Sequence, residues 1–297
     1  MIAIYKAKGM LKMNCNDINI RDPYILVENG KYYMYGTRGK NLGIETGGFD
    51  VYISTDLVTW SEPIECFDSV KYGMNGRVNW APEVHKYQGK FYMFATFKIE
   101  STGQFGTYIL RADSPLGPFV PHSDGVITPE NWQSLDGTLY VSKAGKPYMV
   151  FCHGHSQASN GMICYVELSD DLIRAVSEPV TIFDASTCPY ATVHTPSGRF
   201  ITDGPFLYRT DSDVLLMIWS SFINDQYAEM LVRFDDGELN LNFTHLPPLV
   251  DNDSGHGMVF KAGSKLYLTV HNPNTTLCER PVFIELTDCG NTLQVKK

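Results

Sequence analysis

The stretch DPYILVENGKYYMYG, residues 22–36, runs from a two-residue anchor through an apolar strand and an Asn-Gly turn into an aromatic strand. An Asn-Gly pair between two alternating apolar runs is the strongest short-range signal for a β-hairpin. The same phrase returns four times: Ala81-Pro82 ahead of FYMFA, Asp136-Gly137 ahead of PYMVF, Asp203-Gly204 ahead of LLMIW, and His256-Gly257 ahead of LYLTV. These anchors stand 59, 55, 67 and 53 residues apart, the span of one four-stranded propeller blade. A third strand follows each hairpin, in DVYISTDLVTW (50–60), GTYILRAD (106–113), MICYVELSDDL (162–172), AEMLVRFDDG (228–237) and PVFIELTD (281–288). Five such units close into a ring, so the sequence predicts an all-β, five-bladed β-propeller forming one domain over residues 1–297. A β-sandwich also gives many short strands, but five anchors in register do not arise from one. No segment keeps a 3.6-residue apolar period, which predicts almost no helix. The stretch IAIYKA (2–7) reads as a strand that joins the last blade and seals the ring.

Composition narrows the function classes. With 43% hydrophobic and 19% charged residues the chain can bury a sizeable core, which excludes a disordered protein. The net charge of −9 comes without runs of like charge, an argument against a nucleic-acid partner. No stretch has the length of a membrane-spanning helix, so no membrane partner is expected. The first twenty residues lack the apolar core of a secretory signal. That makes the expected location cytoplasmic as the sequence stands, or periplasmic or secreted if a leader has been removed. The seven cysteines follow no zinc-ligand spacing and read as reduced, mostly buried thiols. Cys152 and Cys164 flank a turn and could pair in an oxidising compartment.

Equivalent positions of propeller blades converge on the axis, so the anchors Asp22, Asp136 and Asp203 are expected to crowd three carboxylates into one depression. Like charges held that close cannot all ionise, and at least one pKa must rise. One carboxylic acid to give a proton and one carboxylate to take one is what hydrolysis of an acetal requires. A lone Asp at a strand entrance is usually a turn former. Three in register point to function, because a buried acidic cluster is otherwise costly.

RDPYI at Asp22, NWAPEV at 79–84, SLDGTLY at Asp136, TDGPF at 202–206 and GHGMVF at 255–260 together resemble the successive blade motifs of glycoside hydrolase family 43. The resemblance spans residues 20 to 290 or so. It implies a five-bladed propeller that hydrolyses glycosides of arabinose or xylose with inversion, with arabinose- or xylose-containing oligo- and polysaccharides as partners and no organic cofactor. Carried over by position, Asp22 matches the general base, Asp136 the carboxylate that tunes and orients the acid, and Asp203 the acid itself. There the chain departs from the pattern, reading Asp-Gly-Pro where the family reads Glu-Gly-Pro. One fewer methylene draws the proton back from the axis. Three readings follow: Asp203 is the acid, Glu83 supplies the proton, or catalysis is impaired and the pocket only binds carbohydrate. His256 matches a family histidine that faces an axial calcium ion in many members, although one imidazole with water is a weak site for an oxygen-preferring cation.

The remaining candidates come from the residues alone. Trp80, Phe97, Trp132 and Trp219 stand beside anchors or at strand ends where a sugar face can stack, Trp80 foremost. His153, of His153-Gly154-His155, is a candidate for polar sugar contacts, and Arg280 for holding a catalytic carboxylate, with the adjacent Glu279 an equally available partner. Family frequency, rather than any residue, makes release of terminal α-L-arabinofuranosyl residues the expected activity, with β-xylosidase or endo-arabinanase action as alternatives.

Overall fold

The computed structural model describes residues 12–38, 47–74 and 78–296. Among them twenty strands form five four-stranded antiparallel sheets, each strand bonded to the next in sequence, and the only helical turns are short 3₁₀ segments at Cys15–Asp17, Val70–Tyr72 and Ala185–Thr187. Blade one holds β1 (Ile20–Glu28), β2 (Lys31–Arg38), β3 (Phe49–Ser54) and β4 (Ile64–Phe67). Blade two holds β5 (Asn79–Tyr87), β6 (Lys90–Lys98), β7 (Phe105–Ala112) and β8 (Val120–Pro121). Blade three holds β9 (Ser134–Val141), β10 (Pro147–His153), β11 (Met162–Glu167) and β12 (Val180–Asp184). Blade four holds β13 (Asp203–Arg209), β14 (Leu215–Ile223), β15 (Gln226–Phe234) and β16 (Phe243–Val250). Blade five holds β17 (Gly255–Ala262), β18 (Lys265–Asn272), β19 (Arg280–Asp288) and β20 (Leu293–Val295). The fold is a five-bladed propeller.

Local chemistry sets the hairpins. Asn29 and Gly30 have φ of 50° and 70°, and Gln88 and Gly89 46° and 77°. Glu28 stands opposite Lys31 and Tyr87 opposite Lys90, so each pair is a complete two-residue loop. Two positive φ values in succession make the turn whose twist matches that of the strands. The second strands carry the blade contacts: Met34, Met93, Met149, Met217 and Leu268, at matching places in the five repeats, are all fully buried. Unbranched methionine adapts to the wedge between twisted sheets, which suits it to that recurring place.

The ring closes between blades five and one. Trp60 stacks on Phe283 with centroids 5.9 Å apart, and Phe260 meets Tyr32 edge-on at 6.4 Å. Polar ties support this seam, since Asn19 Nδ2 donates to the Glu279 carbonyl at 2.9 Å and Arg280 Nε to the Asn16 carbonyl at 2.7 Å. The expected sealing strand at residues 2–7 lies outside the described residues, and the fourth strand of blade five is β20, from the other end of the chain. Cys152 and Cys164 do not pair. They sit on neighbouring strands but pack into two different inter-blade cores, and all seven cysteines are free.

Candidate active site at the propeller axis

Each inner strand carries a bulge where its pairing with the second strand slips, between Arg21 and Tyr24, Trp80 and Glu83, Leu135 and Thr138, Asp203 and Phe206, and Gly255 and Met258. The first bulged residue is left-handed every time, with φ of 53° at Asp22, 45° at Ala81, 58° at Asp136, 48° at Gly204 and 51° at His256. This corrects the expected alignment in one blade. The residue equivalent to Asp22 and Asp136 is Gly204, and Asp203 stands one place earlier, with Arg21, Trp80, Leu135 and Gly255. Two rings of side chains result, an axial ring of Asp22, Ala81, Asp136, Gly204 and His256, and a flanking ring that holds Asp203.

Left-handed backbone costs a non-glycine residue about 1–2 kcal/mol, and here the cost is offset by bonds between blades. The anchor N–H of each blade donates to a side chain of the preceding one: Ala81 to Thr37 Oγ1 at 2.7 Å, Asp136 to Thr96 Oγ1 at 3.0 Å, His256 to Ser220 Oγ at 2.6 Å and Asp22 to His271 Nδ1 at 3.2 Å. These four acceptors occupy the same place on the second strands. In blade three that place holds the apolar Cys152, and the Gly204 N–H turns instead to Asp136 Oδ2 at 3.1 Å. The next residue follows the same logic. Gly137 and Gly257 donate to Thr107 Oγ1 and Glu229 Oε2, at 3.2 and 3.0 Å, whereas Pro23, Pro82 and Pro205 have no N–H to place.

A pocket of about 160 Å³ opens on the axis, lined by Arg21, Asp22, Thr37, Trp80, Leu135, Asp136, Asp203, Tyr227 and His256. Burial alone would raise the pKa of Asp22, but the charges of His256 and Arg21 and the Thr37 hydroxyl, 2.6 Å from Oδ2, hold it below the ordinary 3.8. Asp136 and Asp203 go the other way. Burial raises both, and for Asp136 the neighbouring carboxylates Asp203 and Asp22 add to it. His256 Nδ1 lies 3.2 Å from Asp22 Oδ1; burial works against its charge, yet Asp22, Asp136 and Asp203 outweigh it and push its pKa up to about 9. Burial and Arg21 push His271 down to about 3, so this ring is neutral and free to accept the Asp22 N–H at Nδ1. One pocket thus brings together a carboxyl held toward its ionised form, two pushed toward their protonated form, and an imidazole held toward its charged form.

The other expected site residues divide. Trp80 is in the pocket wall, edge-on to Phe105 at 5.1 Å. Glu83 does not line that pocket; it borders a separate cavity of about 10 Å³ with Asp22 and His256, and its carboxylate takes His85 Nε2 at 3.0 Å. Trp219 is not in the pocket: it is fully buried among Phe183, Met217 and Met230 of an inter-blade core. Phe97 is likewise core. His153 stacks flat on Trp132 at 4.2 Å and bonds Gln157 at 2.8 Å, outside the pocket lining. Arg280 meets the carbonyls of Asn16 and Glu279 and holds no catalytic carboxylate. The arginine in the site is Arg21, which the sequence marks only by its place beside Asp22.

Arg21 is held by Glu279, whose side chain is 0% exposed, with Nη1 3.0 Å from Oε1. Arg21→Met would leave that carboxylate with Asn19 as its side-chain donor. Breaking a buried pair from one side costs about 3 kcal/mol or more, so the melting temperature should fall clearly, and Glu279→Leu in the same chain should restore much of it. A single variant that melts with the wild type would show the pair to carry no such energy.

His256 Nε2 is buried without a partner among the described residues, and it is the nitrogen that an axial calcium ion would use. No three His, Cys, Asp or Glu side chains gather as a metal site among those residues. An ion there would have one buried imidazole nitrogen as its protein ligand and would have to displace a proton from His256.

The sequence matches the family described as Glycosyl hydrolases family 43 over residues 17–284. An endo-arabinase from Bacteroides thetaiotaomicron VPI-5482 is 35% identical, with a TM-score of 0.83 over 93% of this chain and 96% of that one. An endo-1,4-beta-xylanase from the same organism shares the fold at 21% identity, with a TM-score of 0.75 over 94% of this chain and 95% of that one. An extracellular endo-alpha-(1->5)-L-arabinanase of Bacillus subtilis (strain 168) is 24% identical over 147 residues, 44% of this chain and 42% of that protein, so the match spans less than half of that relative. With the family pattern covering residues 17–284 and the propeller shared along nearly the whole chain, this protein belongs to glycoside hydrolase family 43.

Proposed function

We propose that this protein hydrolyses α-1,5-linked arabinan with inversion, cutting within the chain. Asp22 takes a proton from water as that water attacks the anomeric carbon, and Asp203 gives its proton to the leaving glycosidic oxygen as the C–O bond breaks. Asp136, bonded to the Gly204 N–H beside Asp203, orients the acid. The observation that carries this reading is the opposite shift of two carboxyls in one pocket, Asp22 downward and Asp203 upward. A pocket that only binds sugar has no use for that difference. The endo-arabinase and the arabinanase among the relatives favour internal cleavage over release of terminal residues. Trp80 offers the apolar face on which a furanose packs, and Arg21 donors to its hydroxyls. A calcium ion on His256 Nε2, when bound, would supply further positive charge facing the carboxylates.

The test is digestion of linear arabinan, followed by chromatography of the products and by NMR of the first anomer formed. Mid-length oligosaccharides of inverted configuration are expected. Arabinose alone would mean terminal release, and retained configuration or no cleavage would defeat the proposal. The pH profile adds a check. On the acid side kcat/KM should fall only as Asp22 is protonated, below pH 3.8, and on the alkaline side as Asp203 loses its proton, above that value.

A further inference from the structure

The flanking ring has one gap. Where the other blades carry Arg21, Trp80, Leu135 and Asp203, blade five has Gly255. A Cβ there would lie 2.5 Å from Cε1 and 2.6 Å from Cδ1 of Tyr227. Tyr227 thus reaches the pocket from the third strand of blade four through space that only a glycine leaves open. It is held firmly: the residue is 1% exposed, its carbonyl accepts the Ser254 N–H at 3.0 Å, and its ring meets Phe222 at 5.2 Å and lies along His271 at 5.5 Å. Its hydroxyl donates to Asp203 Oδ2 at 3.0 Å.

That bond decides where the acid keeps its proton. An oxygen that accepts from a hydroxyl is the poorer place for a proton, so the acid proton of Asp203 sits on Oδ1. The same bond strengthens as charge develops on the carboxylate during proton transfer, because hydrogen bonds to ionised acceptors are the stronger ones. We propose that Tyr227 is the positioning residue of the general acid, with Gly255 as the opening that admits it. This rests on the reading of Asp203 as the acid. It also explains how an aspartate serves there: a short side chain is aimed by a fixed partner.

The experiment compares two glycosides of a 1,5-linked arabinofuranosyl oligosaccharide, one with methanol and one with 2,4-dinitrophenol as the leaving group. The dinitrophenolate departs with little need of a proton, so loss of acid catalysis shows on the methyl glycoside alone. General acid catalysis is worth about 10²–10⁴-fold. Tyr227→Phe keeps the ring and should lose about 10-fold or more in kcat on the methyl glycoside, and under about 3-fold on the dinitrophenyl one, a partial loss of that acid catalysis. Gly255→Ala, which pushes on the ring, should show the same asymmetry. Equal losses on both substrates, or none, would overturn the proposal. Asp203→Asn, run in parallel, separates the two ideas. If it spares the methyl glycoside, Asp203 is not the acid and the underlying reading fails. If it shows the full asymmetry while Tyr227→Phe shows none, only the role of Tyr227 fails.

Discussion

Asp22→Asn is expected to lower kcat by about 10³-fold while leaving the protein folded, the loss being that of a general base. The amide keeps the shape of the carboxylate and an oxygen for Thr37 Oγ1, now 2.6 Å from Oδ2. What it lacks is the charge. Because Asp22 is the foremost of the charges that raise His256, the same substitution should let the His256 pKa fall back from about 9. Histidine NMR therefore reads the electrostatic change independently of turnover. A variant that keeps wild-type kcat would remove Asp22 from the mechanism. One that loses activity with His256 unmoved would mean that the 3.2 Å approach of the two side chains carries no coupling.

Gly204→Ala is expected to cost about 2–5 kcal/mol, combining left-handed strain of about 1–2 kcal/mol with overpacking of about 1–3 kcal/mol. Its φ is 48°, and a Cβ would fall 2.6 Å from His256 Cδ2 and 2.9 Å from Nε2. Backbone cannot yield without moving Asp203 on one side, or the N–H that Asp136 accepts on its own account. The melting temperature should drop by on the order of 10 °C, and the residual folded enzyme should be impaired as well. An unchanged melting curve would mean that His256 has room to move aside.

The ring of blades was legible because hairpin chemistry is local: turns ending in Gly, alternating strands and a Met at one place in four repeats need no knowledge of the rest of the chain. The fault in blade four has an equally physical origin. Asp203-Gly204-Pro205 contains two overlapping phrases, an Asp-Gly like that of blade three and a Gly-Pro like the X-Pro of blades one and two. Only the backbone angle decides between them. Side chains that act across blades were the least legible. Trp219 looked like pocket wall because it closes the phrase LLMIW, yet β14 runs on to Ile223 and Trp219, at its middle, packs into an inter-blade core. Arg280 stands beside the buried Glu279, but the guanidinium that pairs with that carboxylate is Arg21, some 258 residues away in sequence. Tyr227 carried no signal, since a third-strand residue reaches the axis only where another blade has a glycine.

The bonds that pass from each blade to the anchor of the next have a consequence for how this enzyme fails. Each anchor backbone is fixed by a neighbour, and the circle closes from the last blade to the first: His271 of blade five fixes Asp22. A seam that opened between the two ends of the chain would release that residue before any blade lost a strand. With Asp22 in its proposed role, catalytic competence and circular continuity become one property, and heat inactivation is expected to begin as a parting at the junction rather than as the melting of any sheet.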